Sequence, residues 1–357
     1  MRIAFDARHA ARGLGIANFV THLAQALIEL GGHELIWLGD PAVAPAGVDR
    51  CARADRLPYP ALDGPLGRAL VRRLRADVVH FTGNTGWGRP GPVPAVLTLH
   101  DLVFVSTGLR RRSVRQIVGH RYERWLIPRS LPAATILAVP SQTVAEDVSK
   151  RFPAVAPAQV IPEGVTPPPD LSRVKRNPPY IVAFAGRDPR KRTAEVVDGW
   201  RALGPLPVRL CLLTGGGLEP GLRDRLGPAI QTGSVELFDY LPRTDLWKLL
   251  AGALALAYPT SAEGFGLPVL EGMAAGTPVL TGLAPVSHEI GGDAIVALDE
   301  RDVAGSIAAA VRRLHADPAY AQAVAGRGRA RASEFSWRRT AQRYAELYVH
   351  ASERFSP

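Results

Sequence analysis

Cysteine is nearly absent: Cys51 and Cys211 are the only two in 357 residues. Their distance apart in the chain argues against a disulfide framework and a cysteine-based zinc site, and fits a reducing cytosol. No uninterrupted apolar run reaches the roughly 18 residues at which a membrane-spanning helix comes into question. The opening "MRIAFDARHA" passes from Met directly into a short strand-like run, without the apolar stretch and small-residue cleavage site of a signal peptide. Missing too are a repeat of solenoid length, a D-x-D metal motif, and any helix-turn-helix, zinc or RNA-binding signature. The net charge of +10 therefore comes without a nucleic-acid module. Such an excess suits any polyanion, whether nucleic acid, anionic lipid headgroups or a phosphorylated ligand, and an arginine-rich solvated surface has the same composition.

What is present reads as a folded, loop-punctuated chain. Hydrophobic residues make up 46% and charged residues 21%, and 35 Gly with 31 Pro imply many tight connections. The length favours two domains over one core. Short apolar runs alternate with amphipathic stretches: "RIAFDA", "GIANFVTHLAQALIEL", "ELIWLGD", "ADVVHF", "AVLTLHD". That alternation predicts βα units and a parallel sheet. Phe19, Leu23, Ala26, Leu27 and Leu30 form one stripe of a helix from Ile16 to Leu30, stopped by Gly31 and Gly32. A second series, "YIVAFAG", "VRLCLLTGGG", "VELFDYL" and "ALALAYPT", predicts a second doubly wound sheet. The prolines from Pro162 to Pro179 mark a linker between them. The expected layout is an α/β protein with an N-terminal Rossmann-like domain over 1–165, a second over 166–335, and a last helix in 336–357 crossing back to the first.

Two facing parallel sheets would line a cleft with the carboxyl ends of their strands, and the candidate residues fall there. "SAEGFGLPVLEGMAAGTPVLTG", Ser261 to Gly282, carries Glu263 and Glu271 eight residues apart. Pro268 suits the first turn of a helix, which sets Gly264, Phe265, Gly266 and Leu267 just ahead of its N-terminus. Free N–H groups and the macrodipole there favour an anion such as a diphosphate. Glu263 in the loop and Glu271 in the first turn then bracket one ligand as acceptors for hydroxyl groups. A lone glutamate is more often a cap or turn residue, but the whole block is more specific than either. In "AGRDPRKRTAE", Arg187, Arg190, Lys191 and Arg192 either neutralise a diphosphate or form a solvated charge run. "LLTGGG" lets a nucleotide approach the backbone, or is a common strand-end turn. His100, closing "AVLTLHD", is either a satisfied core histidine or a cleft residue.

Taken together, "PTSAEGFGLPVLEGMAAGTPVL" and its E-x7-E spacing resemble the retaining GT-B glycosyltransferases of family four, especially the bacterial mannosyltransferase-like members. Further landmarks stand in family order along nearly the whole chain: "FDAR", "GLGIANF", "LTLHDL", "VPSQTVAEDV", "IPEGV", "RDPRK", "SHEIGGDA" and "FSW". The resemblance implies GT-B architecture, two Rossmann-like doubly wound domains facing a central cleft, with a nucleoside diphosphate sugar as donor substrate and no cofactor. Glu263 would face the donor sugar hydroxyls, with backbone contacts from Gly264, Phe265 and Gly266 and the adjoining Leu267. Glu271 would hold the ribose, Arg187 or Arg190 with Lys191 would grip the diphosphate, and His100 would sit beside the transferring sugar. The N-terminal glycine loop, Gly15 included, would approach the donor phosphates and the acceptor; Ala17 and Asn18 depart from the G-I-G-R-Y of many relatives. The catalytic set so implied is Glu263, His100 and Lys191. The family expectation is front-face transfer, the leaving phosphate helping to accept the acceptor proton.

The expected activity is thus hexosyl transfer, mannose-like sugars favoured, to a glycan, lipid-linked or small-molecule acceptor without a required metal. The alternatives are a catalytically silent GT-B partner subunit and a nucleotide-sugar epimerase. "RRRSVRQIVGHRYERWLIPR", Arg110 to Arg129, sets seven arginines against Glu123, with Val114, Ile117, Val118, Tyr122 and Trp125 at helical spacing. Such a basic amphipathic helix either lies on an anionic membrane and presents the enzyme to a lipid-linked acceptor, or turns its stripe to the core. The expected setting is the cytoplasm, peripheral to the inner membrane face, with no nucleic acid as partner.

Overall fold

Strands covered by helices on both faces read as near-continuous apolar runs, and those runs become the sheets of this protein. The computed structural model describes residues 1–12, 15–56, 59–103, 114–172, 176–219 and 221–355. The first sheet contains β1 (Arg2–Asp6), β2 (Glu34–Leu38), β3 (Arg50–Ala52), β4 (Val78–Phe81), β5 (Ala95–Thr98), β6 (Ile136–Val139) and β7 (Gln159–Val160). Its order is β3-β2-β1-β4-β5-β6-β7, every pairing parallel. The second contains β8 (Tyr180–Phe184), β9 (Arg209–Leu213), β10 (Val235–Phe238), β11 (Ala255–Ala257), β12 (Val279–Thr281) and β13 (Val296–Ala297). It is also all parallel, in the order β10-β9-β8-β11-β12-β13. Each order reverses once, between β1 and β4 and between β8 and β11. Such switch points open a crevice at the carboxyl ends of the strands, where open α/β sheets bind ligands.

The chain divides into two compact units, Met1–Gly164 with Ser336–Pro357, and Val165–Phe335. The described part of the proline-rich stretch 162–179 forms neither helix nor strand. In the first unit the helix Gly15–Leu30 buries Phe19, Val20, Leu23 and Leu27 against the sheet and ends at Gly31 and Gly32. The C-terminal helix Trp337–Arg354, capped by Ser336, adds Trp337, Tyr344, Leu347 and Tyr348 to the same core. Gly164 admits that helix: a Cβ there would lie 2.2 Å from the Trp337 backbone nitrogen. The opposite face of this sheet buries Leu38, Phe81, Leu97, Leu99, Ile127 and Leu131. Two further clusters cover the two faces of the second sheet.

Two polar networks are built into the first unit. Arg8 lies between the carboxylates of Asp6 and Asp63, at 2.7 and 2.8 Å, all three buried. The Tyr122 hydroxyl donates to Asp63 from the helix Val114–Ala133. On the neighbouring strands, His80 bonds the hydroxyls of Tyr348 and Thr98, and Thr98 bonds Tyr344.

The basic helix departs from one expectation. Its core contacts are Leu126, Ile127, Ser130 and Leu131, whereas Ile117, Val118 and Trp125 are 44, 61 and 54% exposed. Ile117, Val118 and Trp125 therefore do not turn inward, while Tyr122 is partly buried and reaches Asp63; the docking face is set mainly by the last two turns, which pack against β5 and its neighbours. Arg110, Arg111 and Arg112 lie outside the described residues.

Candidate active site

At the β8/β11 switch point two loops meet. After β8, Asp188 accepts from the Arg190 N–H at 3.0 Å and caps the short turn Pro189–Lys191. After β11 the chain runs through Tyr258 to Glu263 and into the helix Leu267–Ala274, whose N-cap is Gly266 at φ 92°. That left-handed conformation favours glycine, and no side chain of the described residues caps the helix end there. The loops are joined directly: the Ser261 N–H donates to the Arg190 carbonyl at 3.0 Å, and Arg190 Nη1 donates to the Ala262 carbonyl at 3.3 Å.

Glu263 is oriented by hydroxyls. Tyr258 donates to its Oε1 at 2.6 Å, and the Thr260 hydroxyl lies 3.4 Å from the same oxygen. Burial, then the charge of Glu263, holds the Tyr258 hydroxyl well above its ordinary pKa, so it stays a donor. Lys191 donates from Nζ to the Ala185 carbonyl at 3.0 Å. Burial pulls its pKa down, and the negative charges of Glu263 and Asp188 oppose that. The two arginines differ. Arg190 is spread over the Asp188 carboxylate, Nη2 at 2.5 Å from Oδ2. Arg187 donates from Nε to the Leu218 carbonyl at 3.0 Å and lies across Gly217 of the "TGGG" loop.

Glu271 lies in the second turn of its helix, not the first as the Pro268 signal implies, because the helix begins at Leu267 and Pro268 is its second residue. Its buried carboxylate accepts from Arg243 Nη1 at 2.6 Å, a half-exposed side chain at the start of the helix Arg243–Gly252. Phe265 turns its ring into the core, 6.1 Å from the ring of Phe335, so only its backbone is presented for contacts. Gly264 and Gly266 are also buried, and Leu267 is partly so.

In the first unit, His100 lies two residues beyond β5. Its N–H donates to Asn84 Oδ1 at 2.8 Å, Nε2 bonds the Thr82 carbonyl at 2.8 Å, and Nδ1 is 3.4 Å from Glu163 Oε1. Phe19 meets the ring edge-to-face at 4.8 Å. Gly15 opens the first helix, exposed, with open space where a Cβ would stand.

Sequence reading missed Glu163, Arg243 and Tyr258 as parts of these arrangements. "IPEGV" stood only as a landmark, and neither arginine nor tyrosine bore a spacing signal. Among the described residues no group of three or more His, Cys, Asp or Glu is arranged to hold a metal ion, and no helix is long and apolar enough to cross a membrane.

Comparison with known proteins agrees with this architecture. Residues 14–167 match Glycosyltransferase Family 4, and residues 172–331 match Glycosyl transferases group 1. The chain is 30% identical to the MMP alpha-(1->4)-mannosyltransferase of Mycolicibacterium hassiacum, over 79% of this chain and 72% of that relative. It is 29% identical to the glycogen synthase of Mycobacterium tuberculosis, over 94% of this chain and 91% of the relative. The crystal structure of Anabaena HepE in complex with UDP-glucose shares the fold, with a TM-score of 0.70 at 17% identity, covering 98% of this chain and 100% of that one. Two parallel-sheet Rossmann-like domains and these matches define a GT-B protein whose chemistry is glycosyl transfer. The chain belongs to the family 4 glycosyltransferases.

Proposed function

We propose that the protein moves a hexose, mannose-like sugars favoured, from a nucleoside diphosphate sugar to a glycan, lipid-linked or small-molecule acceptor, with retention and without a required metal ion. The observation that carries this reading is the joining of the Arg187–Lys191 loop to the Glu263 loop at the β8/β11 switch point. Lys191 and Arg187 meet the charge that develops on the departing diphosphate, together with the N-terminus of the helix Leu267–Ala274. Glu263, held by Tyr258, accepts from hydroxyls of the donor sugar; Glu271 accepts from the ribose, beside Arg243. His100 acts beside the transferring sugar, and the leaving phosphate takes the acceptor proton. The name of the M. hassiacum relative supports a mannosyl donor, and the UDP-glucose in HepE supports a nucleoside diphosphate sugar.

A mass-spectrometric screen of UDP-, GDP- and ADP-sugars against glycan, lipid-linked and small-molecule acceptors tests this. Glycosylated acceptor with release of nucleoside diphosphate supports it, and NMR of the new linkage reads retention directly. An epimerised sugar nucleotide formed without acceptor would favour an epimerase, and donor binding without turnover across the panel a silent subunit.

The exposed face of the helix Val114–Ala133 supports a second element of the reading, an anionic membrane surface. Ile117, Val118 and Trp125 stand out beside the exposed Arg121, Arg124 and Arg129, and Arg129 lies over the Trp125 ring at 4.6 Å. Apolar insertion combined with basic charge is what holds an interfacial helix, each surface arginine adding about 1 kcal/mol on anionic lipid. Co-sedimentation should favour phosphatidylserine vesicles over neutral ones at low salt, and Trp125→Ala with Arg121→Gln and Arg124→Gln should abolish the preference. Equal binding to both lipids removes the membrane from the reading.

A further inference from the structure

We propose that Glu163 is a positioning residue that holds His100 as an imidazolium at the carboxyl end of β5, giving transfer a fixed positive charge. The inference rests on the reading of His100 as a group beside the transferring sugar.

The partners of the ring decide its charge. The Thr82 carbonyl can only accept, so Nε2 carries a hydrogen. Nδ1 faces a carboxylate oxygen at 3.4 Å, and a neutral ring would set its lone pair against that negative charge. Hydrogens on both nitrogens satisfy both acceptors, and such a ring is a cation. His80 on β4 is the internal contrast. It is buried more deeply still, its partners are the hydroxyls of Tyr348 and Thr98, each able to donate or accept, and burial pushes its pKa down to about 3. For His100, burial pulls the same way, yet Glu163, the Thr82 carbonyl and Asp101 together outweigh it and leave the pKa raised. Among the described residues, the charged and titratable groups acting on the ring are Glu163 in the segment after β7, Asp101 beside it and His80 on the adjacent strand; Phe19 and Asn84 touch it without charge.

Glu163 is itself costly to keep. It is 4% exposed, and its Oε2 is buried with no hydrogen-bond partner among the described residues. A buried ion pair with an unsatisfied oxygen is a poor route to stability, and a glutamine could meet Nδ1–H without burying a charge. What the carboxylate supplies beyond that is bias toward the cation. Because Glu163 and His100 lie in the same unit, the pairing needs no rearrangement to form.

The test labels histidine at Cε1 and assigns His100 by the peak lost in His100→Asn. In the wild type this ring should titrate above about 6.5, the ordinary value. In Glu163→Gln its pKa should fall by about one unit or more, and the basic limb of the kcat profile should move down by the same amount. Near pH 8 that is a loss of about tenfold in kcat, recovered on acidification. Glu163→Asp keeps the charge and should shift less, which serves if the amide variant folds poorly. A wild-type ring that titrates at or below about 6.5, or one whose titration is unchanged in Glu163→Gln, overturns the proposal. If the ring shifts while His100→Asn still transfers at the wild-type rate, the pairing stands, the role of His100 in transfer fails, and with it the link to catalysis.

Discussion

Glu263→Gln separates a role on the sugar from a role in holding the fold or the nucleotide. The amide keeps an oxygen that can accept from Tyr258, now 2.6 Å away, and removes only the charge. A hydrogen bond to a charged group contributes about 1.5–3 kcal/mol and a neutral one about 0.5–1.5, so the fold should lose about 1 kcal/mol. For a unit the size of Val165–Phe335, that lowers the melting temperature by roughly 2–4 °C. Against a typical stability of about 5–15 kcal/mol, nearly every molecule stays folded at 25 °C. Transfer should fall much further, by about 10²–10³, the loss that follows removal of one preorganised polar contact to a transition state. There is a second signature. Burial already depresses the pKa of Lys191, and Glu263 opposes it, so removing that charge should make Lys191 give up its proton at lower pH, read from the titration of its own side-chain resonance. Calorimetry with the bare nucleoside diphosphate should register less than about a threefold change, whereas Glu271→Ala, stripped of its proposed ribose contact, should weaken binding about tenfold or more. Equal losses of nucleotide affinity in the two variants, or wild-type transfer by Glu263→Gln, would refute the division of labour between the carboxylates.

Transfer should persist in EDTA, because Lys191, Arg187 and the helix N-terminus at Gly266 are proposed to meet the charge of the diphosphate; complete loss restored by Mg²⁺ or Mn²⁺ would contradict this. Arg8→Met should cost about 3–5 kcal/mol by leaving Asp6 and Asp63 buried without their counter-ion, read as a drop in urea midpoint; a loss below about 1 kcal/mol would mean the carboxylates find other partners or a proton. His80, pushed down to about 3 by burial, regains its ordinary value near 6.5 on unfolding, so its share of stability is complete above about pH 6.5 and is lost as pH falls toward 3, by about 1.4 kcal/mol per unit. Urea melts at pH 7 and pH 5 should therefore show a steeper fall for the wild type than for His80→Asn, and matching slopes would exclude His80 as the source.

Which features were legible in the chain follows from how local their causes are. "RIAFD" and "YIVAF" announce buried strands because both faces of a covered parallel sheet demand apolar side chains, and the glycine and proline punctuation around them is chemically local. A helix start near Pro268 was readable from Gly266 and Pro268 in the same few residues, and the one-residue difference that makes Leu267 the first residue and carries Glu271 into the second turn shows how loosely a proline marks a boundary. For the basic helix the sequence left two alternatives open, a membrane face or a stripe turned to the core. Spacing of three and four identifies a stripe but not the neighbour that covers it, and Leu126, Ile127 and Leu131 win the core because the end of the helix, not its start, lies against the sheet. Glu163 and Arg243 were not readable at all: their partners, His100 and Glu271, are 63 and 28 residues away, and no sequence spacing encodes an ion pair made between separate elements. A parallel sheet nevertheless delivers every βα turn to one edge, so residues remote in sequence arrive at the same crevice. Ligand-facing groups can then be marked by local signals such as glycines and a helix start, while the side chains that tune their charge come from other turns and emerge only once strand order is known.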